Sequence, residues 1–204
     1  MIDELVELYR SAGVGRFFVQ PAPEAQPPAL VDWLRARGFT HYNSWAKLYR
    51  RADPAPPMPD APRVERIGAD HAEIFGRIVA TGFGMPEPVQ PWLAGTVGRE
   101  RWMHYLAIDG GDPIAGAALF IDEGLGWLGV ASTLPTHRGR GAQSALIARR
   151  IHDALEAGCS LMAVETAEDL PERPNPSFRN VVRFGFEVAY LRPNFLVDLS
   201  VPGP

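Results

Sequence analysis

The sequence predicts a mixed α/β (α+β) fold: one largely antiparallel sheet flanked by helices. Three observations carry this. Apolar runs at 102–108, 113–121 and 126–133 are joined by the turn sequences Asp109-Gly110-Gly111 and Glu123-Gly124, which marks an antiparallel meander. A helix follows from about Gly141 to Glu156, with Ile147, Ile151, Ala154 and Leu155 at helical spacing and Gly158 as its stop. Shorter helix and strand patterns alternate on both sides of this centre.

In chain order, Asp3 can cap a first helix bearing Leu5, Val6, Leu8, Tyr9 and Ala12, ended by Gly13. The run 16–20 reads as a short buried strand, Pro28 opens a second helix ending at Gly38, and 42–49 is another strand. Residues 53–62 hold five of the 20 prolines; proline fixes φ and lacks a donor, so this is an extended, semi-rigid linker. The division is then 1–52, a linker at 53–62, and a main unit at 63–204. In the main unit a strand at 63–67 precedes helices at 69–79 and 89–97, then the meander and the long helix. A strand at 161–166, a helix at 176–184 and a strand at 187–197 interrupted near Pro193 complete it.

Composition bounds the function. The chain has 204 residues, 46% hydrophobic and 22% charged, which suits a packed globular domain. A net charge of −4 argues against non-specific nucleic-acid binding. No apolar run approaches the roughly 20 residues that span a bilayer, and the first residues lack a signal-peptide pattern, so a cytoplasmic protein without a membrane partner is expected. Cys159 is the single cysteine, which excludes an intrachain disulfide, and no metal site is expected. Lys47 is the only lysine.

The chemistry concentrates where the third meander strand enters the loop Arg138-Gly139-Arg140-Gly141-Ala142-Gln143 and then the long helix. Glycines let successive backbone N–H groups point one way, and the helix N-terminus adds partial positive charge, together a cradle for a diphosphate. The same pattern also serves as a plain tight turn. A dinucleotide-binding loop is disfavoured, because Ser144 stands where its third glycine belongs and no βαβ unit surrounds it.

This segment resembles the coenzyme A-binding motif of the GNAT superfamily of N-acetyltransferases: strand, then x-x-V-x-P-x-x-(Q/R)-x-x-G-x-(G/A), then helix. Thr133 stands at the V position, followed by Pro135, Arg138 and Gly141; Gln143 departs from the small last residue. Glu165, Asn175 and the pair Gly185-Phe186 are similar to the family's second motif. The resemblance implies a GNAT-like acyl-CoA N-acyltransferase fold with acetyl-CoA as co-substrate. Ala131, Ser132 and Thr133 would bond the pantetheine arm. The amides of Gly139, Arg140, Gly141, Ala142, Gln143 and Ser144 would hold the diphosphate, with Arg138 and Arg140 adding charge. Asn175 would approach the thioester end, or simply cap the helix that begins at Pro176.

Acetyl transfer to an amine needs a base, because an alkyl ammonium has a pKa near ~10. Glu165 is the candidate, its alternative being a simple ion pair with an arginine; His104 is a second candidate, its alternative a structural histidine. Family members often place a tyrosine where Val181 stands here, so Tyr190 or Tyr105, less so Ser177, or else solvent, would protonate the thiolate. A pocket for the amine acceptor, a small molecule or a peptide, is expected between the first two helices of the main unit, walled by Phe83, Met85 and Trp92, with Glu87 to attract a cation. The competing reading is a non-catalytic coenzyme A-binding or interaction module.

The first unit reads as a degenerate copy of the second half of the main unit. Each has a helix ending in Ala-Gly (Ala12-Gly13, Ala157-Gly158), a short strand, a proline-rich loop, a helix ending in Gly-Phe (Gly38-Phe39, Gly185-Phe186) and a tyrosine-bearing strand. It lacks the glycine loop, so it should bind no cofactor, and it should cover its strand edge on the main sheet or across a homodimer.

Overall fold

The structure, a computed structural model, describes residues 1–60 and 62–200. Position 61 of the expected linker and positions 201–204 of the expected main unit lie outside the described residues.

The elements are α1 (Ile2–Ser11), β1 (Arg16–Val19), α2 (Leu30–Arg35), β2 (Thr40–Arg51), β3 (Arg63–Ile67), α3 (Ala72–Phe83), α4 (Gln90–Ala94), β4 (Trp102–Asp109), β5 (Asp112–Asp122), β6 (Leu125–Thr133), α5 (Ala142–Glu156), β7 (Leu161–Ala167), α6 (Pro176–Arg183) and β8 (Glu187–Asp198). Helices α2 and α4 are shorter than expected. Asp3 is not a cap: α1 starts before it, and its carboxylate pairs instead with Arg37.

All eight strands form one sheet, in the order β1-β8-β2-β7-β6-β5-β4-β3. Every neighbouring pair is antiparallel except β6 and β7. The first unit is therefore built into the main sheet: β2 lies between β7 and β8, and β1 closes the outer edge. This cis pairing meets the need to cover a strand edge without a second copy.

Strand β8 runs unbroken through Pro193, against expectation. Pro193 stands opposite Ser44, whose N–H donates to Glu168 Oε1 and whose carbonyl accepts from the Glu168 N–H. Both backbone groups of Ser44 thus point to the β7 side, and no donor is missed at the proline.

Three apolar clusters hold the sheet. α5 and α6 pack Leu146, Ile147, Ile151 and Val181 onto Ala46, Leu48, Met162 and Phe186. α3 and α4 bring Phe75, Val79 and Leu93 against Leu106 and Ala118. α1 and α2 pack Ile2 and Leu34 on Phe17, Phe39, Phe195 and Val197. The proline-rich linker is held along its first half: Arg50 donates to the carbonyls of Asp53 and Pro54, and His152 on α5 donates to that of Pro56.

The register of β2 on β8 is self-symmetric. Laying Gly38-Phe39 on Gly185-Phe186 maps the pair Thr40/Leu196 onto Glu187/Tyr49, Asn43/Asn194 onto Tyr190/Lys47, and Trp45/Arg192 onto itself. The residues skipped at the two register shifts, Tyr42 and Ala189, also correspond.

Candidate active site

The sheet opens between its two parallel strands. β6 and β7 pair only at Leu125–Leu161, Gly126–Met162 and Trp127–Ala163, then diverge. Past Trp127, β6 has no strand partner on its β7 side, which leaves Ala131, Ser132 and Thr133 along one wall of a cleft and Val164 to Ala167 along the other. A bulge sharpens the split: Val130 and Ala131 are left out of the β5 register, with Val130 at φ 50°. The buried Arg150 of α5 fixes the bulge by donating to the carbonyls of Ala118 and Gly129. Gly82 of α3 closes in from the other side, where a Cβ would collide with the Ser132 side chain.

At the cleft's open end the chain turns through Gly139 (φ 79°) and Gly141 (φ 83°) into α5. These left-handed conformations favour glycine. Among the described residues no side chain caps α5, so its first amides, including those of Ala142, Gln143 and Ser144, point outward without a protein acceptor there. This cradle fits a diphosphate. The Gln143 side chain does not crowd it, because Gln143 donates to Ser177 Oγ and accepts from Asn180, both on α6. Ser144 Oγ accepts from Arg183.

The two loop arginines are turned elsewhere. Arg138 donates to the Gly82 carbonyl at 2.9 Å, and Arg140 pairs with Asp109 at 3.3 Å. Asn175 is the N-cap of α6: its Oδ1 accepts from Ser177 N–H, and its Nδ2 donates to the Ala167 carbonyl. Its amide therefore ties the end of β7 to α6.

Two candidates leave the chemistry. His104 is buried under α3 and α4, bonded to Thr96 Oγ1 and stacked on Trp102; burial drops its pKa to about 4. Tyr105 is fully buried and donates to Asp153, with burial as the first cause of a raised pKa. Val181 faces the core, so the position of the family tyrosine holds no acid. Phe83, Met85 and Trp92 are exposed on the α3–α4 side, Trp92 at 71%, so core packing does not explain them.

Glu165 lies two residues beyond the last β6-paired position of β7, on the face opposite α5 and α6. An arginine partner was the alternative read from the sequence; which arginine, and the lysine beside it, were not. Lys47 of β2 stands opposite it and pairs with its carboxylate, and Arg192 Nη2 of β8 lies 3.6 Å from the same oxygen. Tyr190 stands opposite Lys47. Burial, then the nearby Arg192, lowers the Lys47 pKa to about 8. The one available signal was that the chain's only lysine fell on a strand. On the same face, at the closed end of the cleft, Phe120, Leu125, Trp127, Leu161 and Ala163 line a recess of about 300 Å³.

A sheet split between parallel strands, with an uncapped, glycine-turned helix at the mouth of the split, defines an acyltransferase fold. Residues 70–174, more than half of the chain, match the acetyltransferase (GNAT) family, and the chain belongs to that family. Solved structures agree in fold. A GCN5-related N-acetyltransferase from Sphaerobacter thermophilus superposes with a TM-score of 0.76 at 18% identity, covering 99% of this chain and 66% of that one. One from Kribbella flavida gives 0.67 at 16% identity, covering 95% and 72%. A tandem GNAT protein from the clavulanic acid biosynthesis pathway gives 0.67 at 17% identity, covering 98% and 69%. No curated protein matches the sequence.

Proposed function

We propose that the protein transfers an acetyl group from acetyl-CoA to a primary amine. The observation that carries this is the coincidence of the split between β6 and β7 with the outward amides of α5 at its mouth. Bound acetyl-CoA would supply an activated acyl carbonyl, with its diphosphate on the amides from Gly139 to Ser144 and its pantetheine arm along Ala131, Ser132 and Thr133. Arg138, bonded to a neutral carbonyl, adds positive potential there, and Arg140 would add more once released from Asp109.

Glu165 takes the ammonium proton, directly or through a water, since the amine attacks only when neutral. Tyr190, opposite Lys47, serves as proton donor. A thiolate of pKa near ~8.5 is a fair leaving group, so the demand on this donor is modest. Phe83, Met85 and Trp92 line the approach of the acceptor.

The test is turnover of an amine panel with acetyl-CoA, together with Glu165→Gln. The variant should lose roughly 10²-fold or more in kcat with cofactor binding retained. An unaltered pH–rate profile would remove Glu165 from the mechanism. Val181 favours a second reading, a coenzyme A-binding module without catalysis, and this would be the outcome if the wild-type chain binds the cofactor yet acetylates no amine.

Residues 1–52 are read as a degenerate half-copy of the main unit, 63–204. The self-symmetric register of β2 on β8 supports that reading. Without a glycine loop this half binds no cofactor of its own; its part is to supply β1 and β2 to the sheet.

A further inference from the structure

Lys47, Glu165 and Arg192 come from three adjacent strands, β2, β7 and β8, and from both halves of the chain. Their side chains are 20%, 24% and 20% exposed. Two cations share one carboxylate, which leaves one positive charge uncompensated in a half-buried place. Among the described residues no other carboxylate lies within 4 Å of either cation. Of the acids just beyond β7, Glu168 accepts from Ser44 N–H and Asp169 pairs with Arg179. Arg192 Nε is buried and has no hydrogen-bond partner among the described residues.

A half-buried excess charge and a donor without an acceptor are each costly unless an anion completes them. The cofactor's diphosphate is not that anion. Its cradle is the N-terminus of α5, which packs on the opposite face of the sheet, where Leu48 and Met162 point. The cluster instead faces the side of the cleft that bears the recess next to Trp127 and Ala163.

We propose that Lys47 and Arg192 bind a carboxylate of the acceptor, so that the acceptor is an amine carrying a carboxylate close to its amino group, as an α-amino acid does. The inference rests on the acyl-transfer reading above. One acid between two bases complements a zwitterion: Glu165 takes the ammonium end while Lys47 and Arg192 hold the carboxylate, Arg192 with its planar fork. Trp45, opposite Arg192, and Tyr190, opposite Lys47, flank the charges. The first unit thereby supplies a specificity-determining residue to a cleft formed by the second.

Two measurements test this. The first is kcat/KM with acetyl-CoA for matched acceptors, an amino acid against its amide. The free acid should be preferred by roughly tenfold or more. Lys47→Gln and Arg192→Gln should each erase that preference, raising KM for the acid by roughly tenfold more than KM for the amide. The second needs no turnover: calorimetric binding of N-acetyl amino acids and their N-acetyl amides to the protein alone. Carboxylate-dependent binding that both variants lose supports the inference even if no amine is acetylated, a result that would overturn acyl transfer alone. Equal binding of acid and amide, or a preference that survives both substitutions in folded protein, overturns it.

Discussion

His104 shows how burial selects among titratable side chains. Its ring sits under α3 and α4 against Thr96, Trp102 and Phe75, with a pKa near 4 in place of the ordinary 6.5 because the charged ring cannot be solvated there. Between these two values the unfolded chain binds a proton that the folded chain does not. Stability should therefore fall as pH drops from about 6.5, the loss being complete near pH 4. Melting temperatures across that range should show this slope, and His104→Gln should flatten it; an unchanged slope would assign the effect to another group. Glu165 illustrates the reverse case. Its strand, its carboxylate and an arginine partner were legible in the sequence, but which arginine, and Lys47, were not, because Lys47 and Arg192 reach it only through pairing between strands far apart in the chain.

Local signals read well wherever one element decides them. The meander, the long helix and the stops at Gly13, Gly38, Gly158 and Gly185 follow from turn chemistry and helical spacing, and these glycines do take left-handed φ values. Pro193 read badly because a proline's cost depends on which side its neighbour's hydrogen bonds face, a property of the sheet and not of the strand. At α5 the decisive feature is the turn before its first residue. Gly141, at φ 83°, allows the amides that follow to point outward together. Gly141→Glu should strain that turn and place a carboxylate at the cradle, abolishing coenzyme A binding while circular dichroism remains near that of the wild type. Unchanged affinity by calorimetry in the folded variant would move the cofactor elsewhere. The Gln143 departure from the family pattern is absorbed by α6, where Ser177 and Asn180 satisfy its amide.

For the whole molecule, the segment 53–62 is a crossover from β2 to β3 at the far edge of the sheet, two strands that run the same way, and one sheet holds the chain on both sides of it. A chain starting at Arg63 would lack the strand that joins β7 to β8, and β8 would lose both of its neighbours, β1 and β2. It should be largely insoluble or molten; a monomeric, cooperatively melting product on size-exclusion chromatography and thermal scans would show that β8 can repair to β7 unaided. The same insertion of β2 also sets a timetable. β2 leaves the ribosome early, yet its two ladder partners are the last strands made, so its backbone donors wait on nearly the whole chain before they are satisfied. The part that would supply Lys47 to the acceptor is thus the part that must be kept from pairing with anything else, and commitment of the cleft comes as the closing event of folding.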